Sequence, residues 1–191
     1  MRLITVGIGV VLLVLGGEPC AAQLRFTPPE PPPETSQYDF LVGQWTFTAV
    51  WRLPGGEQRG GGSWTARRGL DGFALIDEWR LTSPESGETT FIGASTRIFN
   101  PKTDRWEWTF VDVYNARQEE QYAEWRDGEM HVWWDGVDPA DRPYRMRVRY
   151  HDIGRDSFRW TGDRSYDGGR TWILGWLTME VRRTRSPSPE E

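Results

Sequence analysis

The seven residues Asp39-Phe40-Leu41-Val42-Gly43-Gln44-Trp45 stand where a proline-rich stretch ends and a long series of short β-rich runs begins. Gly43 permits a sharp turn into the first strand. Trp45 then opens an alternating set: Trp45, Phe47, Ala49 and Trp51 share one face, with Gln44, Thr46, Thr48 and Arg52 opposite. A period of two marks a strand with one buried face. A bulky indole at the head of such a strand suits the plug of a closed sheet. No other feature narrows the fold as far.

The rest of the chain repeats this pattern, and no long window has a helical period. Strands are predicted over 43–53, 62–68, 73–81, 89–99, 105–113, 119–126, 130–134, 144–151, 157–166 and 171–183. Turn chemistry separates them. Leu53-Pro54-Gly55-Gly56 is a turn, and Asn100-Pro101-Lys102-Thr103-Asp104 is a short hairpin loop. Asp127-Gly128 signals a two-residue hairpin, which needs positive φ, and Asp167-Gly168-Gly169 is another turn. Gly60-Gly61-Gly62 reads as loop punctuation. In Tyr144-Arg145-Met146-Arg147-Val148-Arg149-Tyr150 three arginines share a face, expected to meet solvent. The fold class is all-β: a single closed antiparallel barrel of about ten strands. Its interior is filled by side chains or holds one small ligand.

The termini are expected to lie outside that barrel. Arg2 and the apolar run from Leu3 to Leu15 read as an export signal, too short to span a bilayer comfortably. Cys20-Ala21-Ala22 places cleavage before Gln23; a lipoprotein reading would acylate Cys20 instead. The expected division is signal peptide 1–22, proline-rich disordered leader 23–37, barrel 38–184 and disordered tail 185–191, with the product periplasmic or secreted. A short turn over Tyr38 to Val42 should lead into the barrel.

Composition removes several function classes. Cys20 is the only cysteine, so the mature chain has no disulfide, thiol nucleophile or cysteine metal site. The net charge is −5, Lys102 is the only lysine and no basic block occurs, which argues against nucleic acid as a partner. No transmembrane segment is expected in the mature chain, and the oligomeric state is not legible. His131 and His151 are the only imidazoles, and His151 falls on the arginine face. No metal-ligand spacing, nucleophile elbow or phosphate-cradling loop occurs, so no metal, cofactor or catalytic residue is assigned.

Several stretches match a known family in order: Asp39 to Trp45; Leu70-Asp71-Gly72 leading to Glu78; Phe99-Asn100-Pro101 leading to Trp108-Thr109-Phe110-Val111-Asp112; Asp156 to Trp160; and Ser165 to Trp172. On these residues the chain resembles an uncharacterised bacterial family of lipocalin-like proteins, a domain of unknown function within the calycin superfamily. The resemblance implies a calycin barrel and no assigned activity. In such barrels an arginine of the last strand lies over the entry tryptophan, closing one end. Gly43, Trp45 and Arg182 are expected to do this here, Arg182 being preferred to Arg183 because it shares parity with Trp172 and Trp176. Nitrobindin-like barrels, which the fold also resembles, hold haem through a lumenal histidine, and the placing of His151 counts against that. Ser165, Asp167, Gly169, Thr171 and Trp172 resemble the Asp-box hairpin of sialidase-like propellers; as a single copy they read as a structural hairpin.

The candidate ligand site is Glu78, Arg97, Trp106, Trp108, Phe110 and Asp112. Trp106, Trp108, Phe110 and Asp112 share a strand face. A carboxylate among aromatics needs a cation or a raised pKa, and Arg97 is the expected partner of Asp112. Tryptophan is the compositional outlier, with 12 in 191 residues; most are expected to fill the barrel. The leading functional expectation is a small apolar or aromatic molecule in the lumen. The alternatives are a side-chain-filled barrel acting as an interaction module, an enzyme using Asp112 or Glu78 as acid or base, and carbohydrate binding through exposed tryptophan. The last arises because Trp133 and Trp134 cannot both face inward on a regular strand.

Overall fold

The structure, a computed structural model, describes residues 29–184. The expected signal peptide, residues 23–28 of the leader and the tail lie outside the described residues. Ten antiparallel strands close into one barrel: β1 (Gly43–Leu53), β2 (Gly56–Gly69), β3 (Ala74–Thr82), β4 (Thr89–Asn100), β5 (Arg105–Asp112), β6 (Arg117–Arg126), β7 (Glu129–Val137), β8 (Pro143–His151), β9 (Ser157–Ser165) and β10 (Ile173–Arg183). Each pairs with its neighbour in sequence, and β10 returns to β1 from Trp45↔Arg183 to Trp51↔Leu177. The fold is the closed antiparallel barrel that the alternation implies.

That alternation decides which residues enter the core. On β1, Trp45, Phe47 and Ala49 are buried. On β8, Met146, Val148 and Tyr150 are buried, while Arg145, Arg147 and Arg149 face outward. Each outward arginine meets a carboxylate of an adjacent strand, Asp135, Asp163 and Glu129, at 2.8, 2.9 and 3.2 Å. Exposed pairs of this kind add little stability, but a one-residue slip would bury the arginines, so they hold the register.

Gly60, Gly61 and Gly62 are not a loop. They lie inside β2, opposite Ala49, Thr48 and Phe47. A Cβ on Gly61 would stand 2.7 Å from the Phe47 carbonyl oxygen, and one on Gly62 would stand 2.9 Å from the Phe47 ring. Glycine is used here for close approach rather than for a turn.

One end of the barrel is closed by the segment before β1. Pro33–Leu41 forms a 3-10 helix, so the extended leader ends earlier than Gln37. Tyr38 and Leu41 are fully buried. Gln37 accepts a hydrogen bond from Trp106 Nε1 at 2.9 Å, and Arg68 donates to the Thr35 carbonyl and the Asp39 carboxylate. The Tyr38 ring packs edge-on against Trp106 with centroids 4.7 Å apart.

The arginine over Trp45 is Arg183, not Arg182. Its guanidinium sits 4.0 Å from the Trp45 ring and donates to the Val42 carbonyl at 2.9 Å and the Arg155 carbonyl at 3.0 Å, while Arg182 is exposed. The reason is a bulge: the β10–β9 register shifts between Ile173 and Leu177. Trp176 and Leu177 therefore both face the lumen, and parity counted from Trp176 is reversed for the rest of the strand.

The other end is open and ringed by the five remaining hairpin loops. Here β6 and β7 part. They pair from Tyr122↔Trp133 to Arg126↔Glu129, but residues 117–121 and 134–137 share no ladder. Side chains span the gap instead: Arg117 donates to the Val137 carbonyl at 2.6 Å, and the Tyr144 hydroxyl donates to Glu119 at 3.1 Å.

Candidate functional site: an aromatic lumen with a buried ion pair

The open half of the barrel encloses a cavity of about 390 Å³. Its wall at β3, β4 and β5 is a set of three packed rings, two of them near-parallel. Trp79 and Phe91 lie 4.9 Å apart, Phe91 and Phe110 lie 6.5 Å apart at 7°, and Trp79 and Phe110 lie 6.3 Å apart. Gly93 makes room for them, since a Cβ there would stand 2.6 Å from Phe110 and 2.8 Å from Trp79 Nε1. Trp51, Trp134, Tyr144, Trp160 and Trp176 continue the aromatic lining around the barrel.

The floor is polar and held together by one ion pair. Arg97 bonds Asp77, and their side chains are 3% and 0% exposed. Asp77 also accepts from Trp64 Nε1 at 3.1 Å. Arg97 stacks on Trp108 at 4.3 Å and lies 5.3 Å from the Tyr38 ring. Trp108 Nε1 in turn donates to Gln121 at 2.8 Å. Burial pushes the Tyr38 and Tyr150 phenols up, against the pull of the Arg97 charge.

The expected site residues divide. Arg97, Trp108, Phe110 and Asp112 do line the cavity. Trp106 shares their face but belongs to the closed-end core with Tyr38 and Phe99. Glu78 points outward and pairs with Arg80 on the outer wall. The inward acid is its neighbour Asp77, on the face of Leu75 and Trp79. Arg97 does not pair with Asp112, because Asp112 lies opposite Gly93, four residues along β4, a distance of about 13 Å at strand rise. Asp112 instead closes the turn after β5, accepting from the Asn115 amide at 3.0 Å and its side chain at 2.7 Å. No carboxylate pair of Glu78 and Asp112 forms.

Near the mouth a second polar group escaped the sequence reading. Glu119 accepts from the Tyr144 hydroxyl at 3.1 Å and from Gln121 at 3.5 Å. Burial pushes its carboxyl up, and burial with the facing Glu119 pushes Tyr144 up to about 12. Arg164 also lines the cavity, its guanidinium 4.1 Å from the Tyr144 ring. Glu119 sits on a strand of mixed polar residues, Arg117-Gln118-Glu119-Glu120-Gln121, whose parity is readable only back from Ala123.

The Asp-box-like hairpin is structural. Asp167 accepts from the Thr171 hydroxyl at 2.6 Å, the Thr171 amide at 2.9 Å and Ser165 at 2.8 Å, which holds its carboxyl well below the usual range. Ser165 accepts from the Gly169 amide at 2.8 Å, and Trp172 Nε1 donates to the Gly169 carbonyl at 3.0 Å.

Both histidines sit on the outer wall. His151 contacts Thr161 at 2.9 Å and Asp152 at 3.2 Å, and His131 contacts Glu129 at 3.4 Å. The lumen therefore offers haem no imidazole. Trp134 faces the lumen, while Trp133 packs outside against Tyr122 at 6.3 Å. Among the described residues no group of three or more His, Cys, Asp or Glu side chains is placed to hold a metal ion, and no helix is long and apolar enough to cross a membrane.

No family model and no curated protein matches the chain. Among solved structures, it is similar to the crystal structure of Rv2717c from M. tuberculosis, at 11% identity and a TM-score of 0.59, covering 82% of this chain and 100% of that one. It is also similar to EF1p2_mFAP2b bound to DFHBI, at 13% identity and a TM-score of 0.39, covering 78% and 98%. The first likeness is one of fold alone, and the second is too distant to carry an argument.

Proposed function

We propose that the chain is an exported binding protein whose lumen holds a small molecule of two to three aromatic rings. One observation carries this reading: a cavity of about 390 Å³, open at one end, walled by aromatic side chains and floored by the polar cluster around the Arg97–Asp77 pair. Ligand sites have this make-up, apolar walls with a few placed polar groups. Its size follows from scale, since an apolar cavity of about 150 Å³ takes benzene. A filled barrel acting only through its surface does not fit an open lumen of this volume. Membership in the uncharacterised lipocalin-like family, and export by the N-terminal signal, belong to the same reading, supported by the ordered motif set and the barrel.

Native mass spectrometry of the protein made in an exporting bacterial host tests it. Added mass released on unfolding is the expected result, and the protein mass itself reports whether residues 1–22 are removed. Binding of the neutral dye N-phenyl-1-naphthylamine supplies a second reading. Trp108→Ala should weaken the dye by more than it lowers the melting temperature; unchanged dye binding would sink the lumenal site.

A further inference from the structure

Two arginines of the cavity wall make no direct ion pair with a carboxylate among the described residues, and one of them is stacked on aromatic rings of the lumen. Three arginines line the lumen. Arg97 is neutralised by Asp77. Arg117, on β6, has no carboxylate within 4.0 Å among the described residues, and it spends a donor on the Val137 carbonyl across the gap to β7. Arg164, on β9, likewise has no carboxylate within 4.0 Å among the described residues. Its polar contacts are the Met146 sulfur at 3.4 Å and the Tyr166 hydroxyl at 3.3 Å. Arginine has five N–H donors and thioether sulfur is a weak acceptor, so most of its donor capacity is unspent. The guanidinium is fixed in place, 3.4 Å over Trp176 and 4.1 Å from the Tyr144 ring.

The other charges facing this part of the lumen are committed elsewhere. Asp138 is bound by Arg142, and it is joined to Arg164 through one hydroxyl, that of Tyr166. Asp112 closes the turn at Asn115. Glu119 is bonded to the Tyr144 hydroxyl and to Gln121 and feels the Arg164 charge without an ion pair to it. A half-buried cation stacked on two aromatic rings is a site for an anion, because paired and hydrogen-bonded charges are the ones that burial tolerates.

The position of Arg164 also orients a ligand. In a ten-stranded barrel β9 stands five strands from β4, so Arg164 faces the Trp79–Phe91–Phe110 wall across the lumen. We infer that the ligand is an aromatic acid, with its rings against that wall and its carboxylate or sulfonate paired with Arg164. This inference rests on the reading of the lumen as an aromatic-ligand site and adds the ligand's charge and orientation.

Two dyes with the same ring systems separate the two claims: neutral N-phenyl-1-naphthylamine and its sulfonate counterpart, 1-anilinonaphthalene-8-sulfonate. Each is titrated by fluorescence, with energy transfer from protein tryptophan as the check on lumenal binding. The sulfonate dye is expected to bind about tenfold tighter than the neutral one, the worth of a charge-assisted hydrogen bond. Arg164→Met should abolish that advantage and leave the neutral dye within about twofold, while Arg164→Lys, which keeps the charge without the planar fork, should retain part of it. Near-ultraviolet circular dichroism verifies that each variant is folded. Equal sulfonate binding by wild type and Arg164→Met, or equal weakening of both dyes, overturns the inference. If the methionine variant does not fold, loss of the sulfonate advantage in wild-type protein alone decides against it. Failure of both dyes to bind folded wild type overturns the aromatic-lumen reading itself.

Discussion

Asp77 and Arg97 are enclosed almost completely, and their roles follow from what they leave behind when separated. Removing one partner of a buried pair strands the other, at a cost of about 3–5 kcal/mol, whereas replacing both with apolar groups can be close to neutral. Arg97→Met and Asp77→Leu should each lower the urea midpoint strongly, and the double variant should recover most of the loss. Additive losses would mean that the two charges act independently. Glu119 has the opposite character. Its folded carboxyl titrates above its unfolded value, so the native state binds the extra proton and stability falls as pH rises through that window. Glu119→Gln is therefore expected to raise the melting temperature at pH 7.5, with the gain shrinking as pH falls into the ordinary carboxylate range. A gain independent of pH would assign the effect to packing. The pairing of Arg97 with Asp77 was within reach of the sequence, since Leu75, Asp77 and Trp79 share a face. Glu78 belongs to the residues that carry the family resemblance, but the face of a single acid depends on register.

At the level of elements, the parted stretch of β6 and β7 is the irregularity with a measurable consequence. Backbone groups without ladder partners exchange quickly. Amides of 118–121 and 134–137 that point into the gap should lose hydrogen-exchange protection well before those of Tyr122–Arg126 in the same strand; uniform protection would mean the ladder continues in solution. The Asp138–Arg142 loop at the end of β7 has its own pH signature. The backbone amide of Arg142, its side chain and the Ala140 amide all donate to Asp138 and hold it at about 2. A depressed carboxylate contributes stability that is present above its unfolded value and is lost as pH falls toward the folded one. Loop order, followed by Tyr166 whose hydroxyl donates to Asp138 at 3.2 Å, should persist to about pH 3 and fail below it. The strands were legible because a period of two is local. The gap was not, because whether two strands pair depends on the partner's register and twist.

For the whole molecule, closure is achieved twice: by the β1–β10 ladder, and by the 3-10 helix that fills one end. Tyr38 and Leu41 are fully buried, each worth about 1.5–3 kcal/mol. A chain shortened to begin at Gly43 should melt roughly 10 °C lower at this size, with no loss of strand signal in far-ultraviolet circular dichroism. An unchanged melting temperature would show that the plug is dispensable.

The sequence by itself determined an all-β barrel, most of its strand positions outside the glycine run of β2, its turns and the aromatic inner face. Each of these follows from the alternation of neighbouring residues and the φ preferences of glycine, aspartate and proline. The tertiary structure alone decided which arginine caps Trp45, which acid meets Arg97, that Pro33–Leu41 belongs to the domain, and that Arg164 faces the lumen without a direct ion pair. Those outcomes depend on a bulge in β10, on cross-strand register and on contacts between residues far apart in the chain. They exist only once the sheet has closed.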